Sequence, residues 1–211
     1  LLYLLFVPYG STTEAVEEKH RDVKMTGGQW RTALGLAVVA AAIVLSNVMI
    51  TIRIPSVVEQ VGHGTAQTAG IILATMQFVG ILAGLAFSPL TQLFRDRLLV
   101  VSGVAYGLTQ LLIGVSTNLW MLAIVTILAG FAYSVALTTV YNVLSDQMPA
   151  GVLSQATSIA VLGCSAGSIA TTFVLSLLGT ISSAPAFIFG FSGILMILVS
   201  FFGLWIVRKS G

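Results

Sequence analysis

The chain has 211 residues, 57% of them hydrophobic and only 8% charged, with nine basic and seven acidic residues giving a net charge of +2. Soluble domains carry roughly 25% charged residues, so this composition excludes an ordinary water-soluble fold, and the small net charge argues against nucleic acid as a partner. The charges cluster in the first thirty-one residues, in short breaks and at the end. Six uncharged stretches remain between them.

A hydrocarbon core about 30 Å thick takes about 20 residues of helix to cross. Within it every backbone group must be bonded internally, which leaves helices or closed barrels. Barrel strands are alternating segments of about ten residues. The stretches here are longer and apolar all round, so the expected fold is all-α: a polytopic membrane bundle of six transmembrane helices.

Residues 1–9 are apolar but too few to span, and read as the end of an upstream transmembrane helix. Residues 10–30 form a polar linker holding Glu14, Glu17, Glu18, Lys19, His20, Arg21, Asp22 and Lys24. Ser11 and Glu14 stand at capping-box spacing, and Gly27 and Gly28 are expected to break the chain before it enters the membrane. Residues 31–211 hold the spans: 31–52, 69–90, 98–115, 119–143, 153–178 and 186–207. One connection is long, Arg53 to Thr68, with Pro55, Gly62 and Gly64. The other four are short: around Arg95, at Ser116–Asn118, around Asp146–Gly151 and at Thr180–Pro185.

Alternate loops divide the basic residues unequally. One side carries Lys19, Arg21, Lys24, Arg31, Arg95, Arg97, Arg208 and Lys209; the other carries Arg53 alone. The positive-inside rule makes the first side cytoplasmic, together with the linker and the C-terminus. Trp30, Trp120 and Trp205 fall near span ends, as interfacial anchors do. Gly80 and Gly84, Gly103 and Gly107, and Gly163 and Gly167 form GxxxG pairs, which let helix backbones approach closely.

Six spans after a cytoplasmic linker, with the end of another span before it, resemble the C-terminal half of a major facilitator superfamily transporter. In that family a motif of the form G-x-L-x-D-R-x-G-R-R follows the second helix of each half. Ser88, Leu90, Gln92, Arg95, Asp96 and Arg97 occupy the corresponding stretch. Leu90 and Arg97 match; Ser88, Gln92, Arg95 and Asp96 replace glycine, aspartate, glycine and arginine. Asp146, Pro149 and Gly151 resemble the family's D-x-x-P-x-G-like cytoplasmic turn. The resemblance implies a plasma-membrane protein, bacterial by expectation, whose partner is an N-terminal six-helix half outside this chain. It also makes Arg95, Asp96 and Arg97 a cytoplasmic gating loop. Independently, three spans are an odd number and invert the topology of the next three, the condition for a 3+3 inverted repeat.

No Asp, Glu, Lys, Arg or His falls at mid-membrane depth. Coupling acids normally sit there, so a proton-coupling group would lie outside this chain, or the protein is a facilitator. The polar groups at depth are neutral. Ser46, Asn47, Thr51 and Arg53 share an arc of about 160° on the first span, and Tyr133, Ser134, Thr138 and Tyr141 an arc of about 140° on the fourth, with Asn142 just beyond. In the family these two helices line the central cavity. The resemblance therefore implies that Asn47, Thr51, Tyr133, Thr138, Tyr141 and Asn142 face substrate, with Gln77 of the second span a further candidate. Hydrogen bonding between helices is the alternative. Gln110 and Cys164 read as structural. Arg53 and Glu59 stand at the outer mouth, where Arg53 either attracts anionic groups or snorkels to the interface; His63 reads as a loop residue.

The chain has no phosphate loop of the form G-x-x-x-x-G-K-[ST], no metal-binding Cys/His cluster and no nucleophile elbow. No enzyme activity, cofactor or metal is expected. The expected function is secondary or facilitative transport of a small uncharged or lipophilic solute by alternating access, with efflux favoured over uptake. A non-transporting polytopic scaffold or sensor is the alternative.

Overall fold

The structure is a computed structural model that describes residues 25–62 and 64–210. The readings made for residues 1–24 and for His63 lie outside the described residues. Six helices follow one another: α1 (Gly27–Gly62), α2 (Ala66–Phe94), α3 (Leu98–Gly114), α4 (Leu119–Gln147), α5 (Ala150–Ile181) and α6 (Pro185–Ser210), with a 3₁₀ turn at Arg95–Arg97 before α3. There is no strand among the described residues. Five helices are long and apolar enough to cross a membrane, and α3 is the shorter exception. With the 3₁₀ turn, α3 rises about 31 Å, which matches the hydrocarbon thickness of about 30 Å.

Five helices extend beyond the expected spans, while α3 ends one residue short of its own. Gly27 and Gly28 do not break the chain but form the first turn of α1. The reason is a reciprocal cap: the Thr26 N–H donates to Gln29 Oε1 (2.8 Å), and the Gln29 N–H donates to Thr26 Oγ1 (3.5 Å). This is the capping-box arrangement. The expected long connection after Arg53 is also corrected. The helix runs on through Pro55 to Gly62, because Ile54, Val57 and Val58 extend its buried face. Pro55 offers no N–H to the preceding turn, and Ser56 Oγ donates to the carbonyl of Arg53 (2.8 Å) nearby. The N–H of Gly64 then closes on the carbonyl of Val58 (3.2 Å). A side chain at 64 would collide with Val58.

Other caps follow local chemistry. Thr65 Oγ1 accepts from the Thr68 N–H (3.4 Å) to open α2, and Asn118 Oδ1 accepts from the Met121 N–H (2.8 Å) to open α4. Pro185 occupies the first position of α6, where its missing N–H costs nothing. Pro149 separates α4 from α5.

The helices pack in two layers. The front layer runs α5, α1, α4, α2; behind it lie α6, against α1, and α3, against α4. The most extensive contacts are α1 with α5, α3 with α6, and α2 with α4. Exchanging α1 with α4, α2 with α5 and α3 with α6 maps this set of pairings onto itself, which is the packing expected of a 3+3 inverted repeat.

Two of the three GxxxG pairs are seats for a partner helix. A Cβ on Gly163 or Gly167 of α5 would fall on the backbone of Ala37 or Ala41 of α1. A Cβ on Gly107 of α3 would come within 2.8 Å of the carbonyl of Gly193 on α6, and one on Gly103 would meet Ser200. The third pair differs: Gly80 faces Ser134, but Gly84 has nothing within 4 Å.

Candidate functional site

At the centre of the front layer α1 and α4 meet, and they carry most of the polar groups singled out in the sequence. Asn47 lies on the inner side of α1 and is only 9% exposed. Its Oδ1 is buried and finds no protein hydrogen-bond partner. One turn further, Thr51 is exposed, and its hydroxyl donates to the carbonyl of Asn47 (3.1 Å). Ser46 is fully buried and accepts from Ser192 Oγ of α6 (2.9 Å), so it ties the front layer to the back one.

On α4, Tyr133 is half-buried, and its ring lies 6.0 Å from that of Tyr106 on α3, tilted by 54°. Tyr141 is half-buried, with its hydroxyl 3.6 Å from Cys164 Sγ on α5. Thr138 lies between them in sequence and is exposed. Asn142 does not join this group: its Nδ2 donates to Asp146 Oδ2 (3.1 Å) at the end of α4. Gln77 is exposed on α2, next to Met76, whose backbone would meet a Cβ on Gly130 of α4.

Tyr106 and Gln110 are additions the sequence reading did not make. Both are completely buried on α3, one turn apart. The Tyr106 hydroxyl and both amide atoms of Gln110 lack a protein partner within hydrogen-bond geometry, as does Thr126 Oγ1 on α4. The sequence marks Gln110 as structural and does not single out Tyr106. The available signal was a tyrosine and an amide at i, i+4 beside a glycine pair.

Arg53 and Glu59 both lie within α1 rather than in a loop. Glu59 is exposed. Arg53 is half-buried and lines a cleft of about 480 Å³ with Thr172 and Ser176 of α5 and with Ser183. Arg95, Asp96 and Arg97 form the 3₁₀ turn between α2 and α3. Arg95 is the one non-glycine with positive φ among the described residues, at φ 44° and ψ −125°. This is glycine territory, and it occurs where the family motif has a glycine.

No group of three or more His, Cys, Asp or Glu suited to a metal occurs among the described residues.

A two-layer bundle of apolar helices related by an inverted repeat, with neutral polar groups at its centre, defines a polytopic membrane protein of the secondary-transporter type. The family model of the Major Facilitator Superfamily matches residues 34–211, and the chain belongs to that family. Its members move solutes across membranes and are not enzymes, so this is a transporter domain working in lipid. No curated protein matches the chain.

Proposed function

We propose that this domain is one half of an alternating-access transporter for a small uncharged or lipophilic solute, exported rather than imported. Asn47, Thr51, Gln77, Tyr133, Thr138 and Tyr141 line the substrate path; Asn142, bonded to Asp146, belongs to its cytoplasmic rim. The observation that carries this reading is the buried, unpartnered Oδ1 of Asn47 at the junction of the two central helices. A buried polar atom without a partner costs about 1–3 kcal/mol, a cost that a solute or the facing half can relieve.

The facing surface belongs to an N-terminal six-helix half. The front faces of α2 and α5, which are largely exposed, are where that half packs. Arg95, Asp96 and Arg97 lie on the cytoplasmic side with the C-terminus, in a bacterial plasma membrane, and Arg53 and Glu59 mark the outer mouth. No Asp, Glu, Lys, Arg or His stands among the six residues assigned to the path, which favours an uncharged cargo.

The test is flux of an uncharged fluorescent dye in proteoliposomes holding both halves. Asn47→Ala and Tyr133→Phe should each lower the rate about tenfold, the loss of one hydrogen bond, with unchanged insertion and no fall in melting temperature. Normal flux in both variants would remove these residues from the path. Slowed flux matched by a lowered melting temperature would assign them to packing.

A further inference from the structure

A cavity of about 640 Å³ lies not at the centre of the front layer but at the opposite face of α1, between its first turns, the end of α4 and the last turns of α6. Leu34 and Val38 form the α1 wall. At 100° per residue they stand about 140° and 180° round the helix from Asn47. The neighbouring faces of α1 are taken: Ala37 and Ala41 seat α5, while Gly35 and Val39 face Ile206 and Gly203 of α6. The cavity is thus a fissure opening away from the solute path.

Its two ends differ chemically. One wall is apolar, with Leu34, Val38 and Phe202 all partly exposed. Phe202 and Trp205 stack with ring centroids 6.2 Å apart, at 22°. The other end is polar and positive: Gln29 and Arg31 stand in the first turns of α1, and no acidic residue among the described residues lines the cavity. No described carboxylate pairs with Arg31. Helix N-termini favour anions. Arg31 lies 22 residues before Arg53, a rise of about 33 Å, so the two arginines are spaced to meet the two faces of a hydrocarbon layer about 30 Å thick. Trp205, beside the polar end, has the residue type of that boundary.

We infer that this fissure holds one anionic phospholipid of the inner leaflet, with its phosphate on Arg31 and Gln29 and an acyl chain along Leu34, Val38 and Phe202. The inference rests on the membrane placement proposed above but not on transport. A lipid suits both ends of the fissure, whereas free phosphate suits only the polar one.

The experiment uses the full chain in nanodiscs, with Trp30→Phe and Trp120→Phe leaving Trp205 as the reporter. Bromine on lipid acyl chains quenches tryptophan on contact. Brominated phosphatidylglycerol should quench Trp205 at about one-fifth the mole fraction that brominated phosphatidylcholine needs, the bias set by one interfacial basic residue. Arg31→Gln should bring the two lipids to parity. Val38→Phe should reduce quenching by both without altering the melting temperature by more than a few degrees. Arg208→Gln, outside the cavity lining, should keep the preference. Inorganic phosphate at 10 mM, on the order of a hundredfold above a tight phosphate site, should not erase it. Equal quenching by the two lipids overturns the site. So does a preference that survives Arg31→Gln or vanishes in Arg208→Gln. Loss of the preference to phosphate would assign the polar end to a free anion, and no quenching by either lipid would assign the fissure to protein.

Discussion

Replacing Gly167 and Gly84 by alanine separates a packing seat from a chance spacing. Both glycines are second members of GxxxG pairs within long helices, so the motif alone forecasts the same effect. Their surroundings differ. A Cβ on Gly167 would overlap the backbone of Ala41, which cannot rotate away, so α5 must move off α1; a Cβ on Gly84 meets nothing within 4 Å. Each substitution gains the helix-propensity term, roughly 0.5–1 kcal/mol. That term cancels in the comparison and leaves overpacking, about 1–3 kcal/mol against Gly167→Ala. For a chain of this length each kcal/mol moves the melting temperature by about 2–4 °C, so the two variants should differ by about 2–12 °C. Gly84→Ala should melt slightly above the parent and Gly167→Ala below it. The assay is thermal unfolding of the 211-residue chain in detergent, followed by tryptophan emission. Equal melting temperatures would refute the reasoning and reduce the glycines to composition.

Four further outcomes are expected. Arg95→Gly should stabilise the chain by about 1 kcal/mol, the lower end of the cost of a sparsely populated backbone conformation, and Arg95→Ala should not; comparing the two melting temperatures checks it. Gln110→Met should raise the melting temperature, since it removes two buried amide atoms without protein partners at a cost of about 1–3 kcal/mol; a fall would mean that the amide is bonded in the membrane. Tyr141→Phe should speed maleimide labelling of Cys164 by about two- to tenfold, the worth of one hydrogen bond, as read by mass spectrometry. Thr26→Val should cost about 1 kcal/mol through the lost cap and raise hydrogen exchange in the first turn of α1 only.

Helix existence was legible because each span is an uninterrupted apolar run, and lipid leaves the backbone no cheaper option. Helix ends were less legible. Five of the six helices start or stop beyond their apolar runs, because a helix does not end where the hydrocarbon does; α3 stays within its own. Pro55 reads as punctuation, yet it lies inside α1. It removes one donor, and the buried Ile54, Val57 and Val58 around it hold the course. Thr26 and Gln29 spelled a capping box, but the two glycines between them masked it. Tyr106 was hidden for another reason: in an apolar run nothing distinguishes a tyrosine with a bonded hydroxyl from one without.

Hydroxyls and amides at membrane depth do not carry equal information. Most of the serine and threonine hydroxyls close on their own helix: Thr51 on Asn47, Ser102 on Leu98, Thr139 on Val135, Ser165 on Val161, Ser168 on Cys164. This back-bonding to the carbonyl four residues earlier satisfies the group without a neighbour, so a stripe of hydroxyls says little about what the stripe faces. An amide cannot do the same, because it has both donors and acceptors to fill. Asn47 and Gln110 each leave buried amide atoms unfilled by protein, and they belong to α1 and α3, in different layers. Asn47, at the junction of the two central helices, is therefore the residue whose substitution separates a solute path from a packed interior.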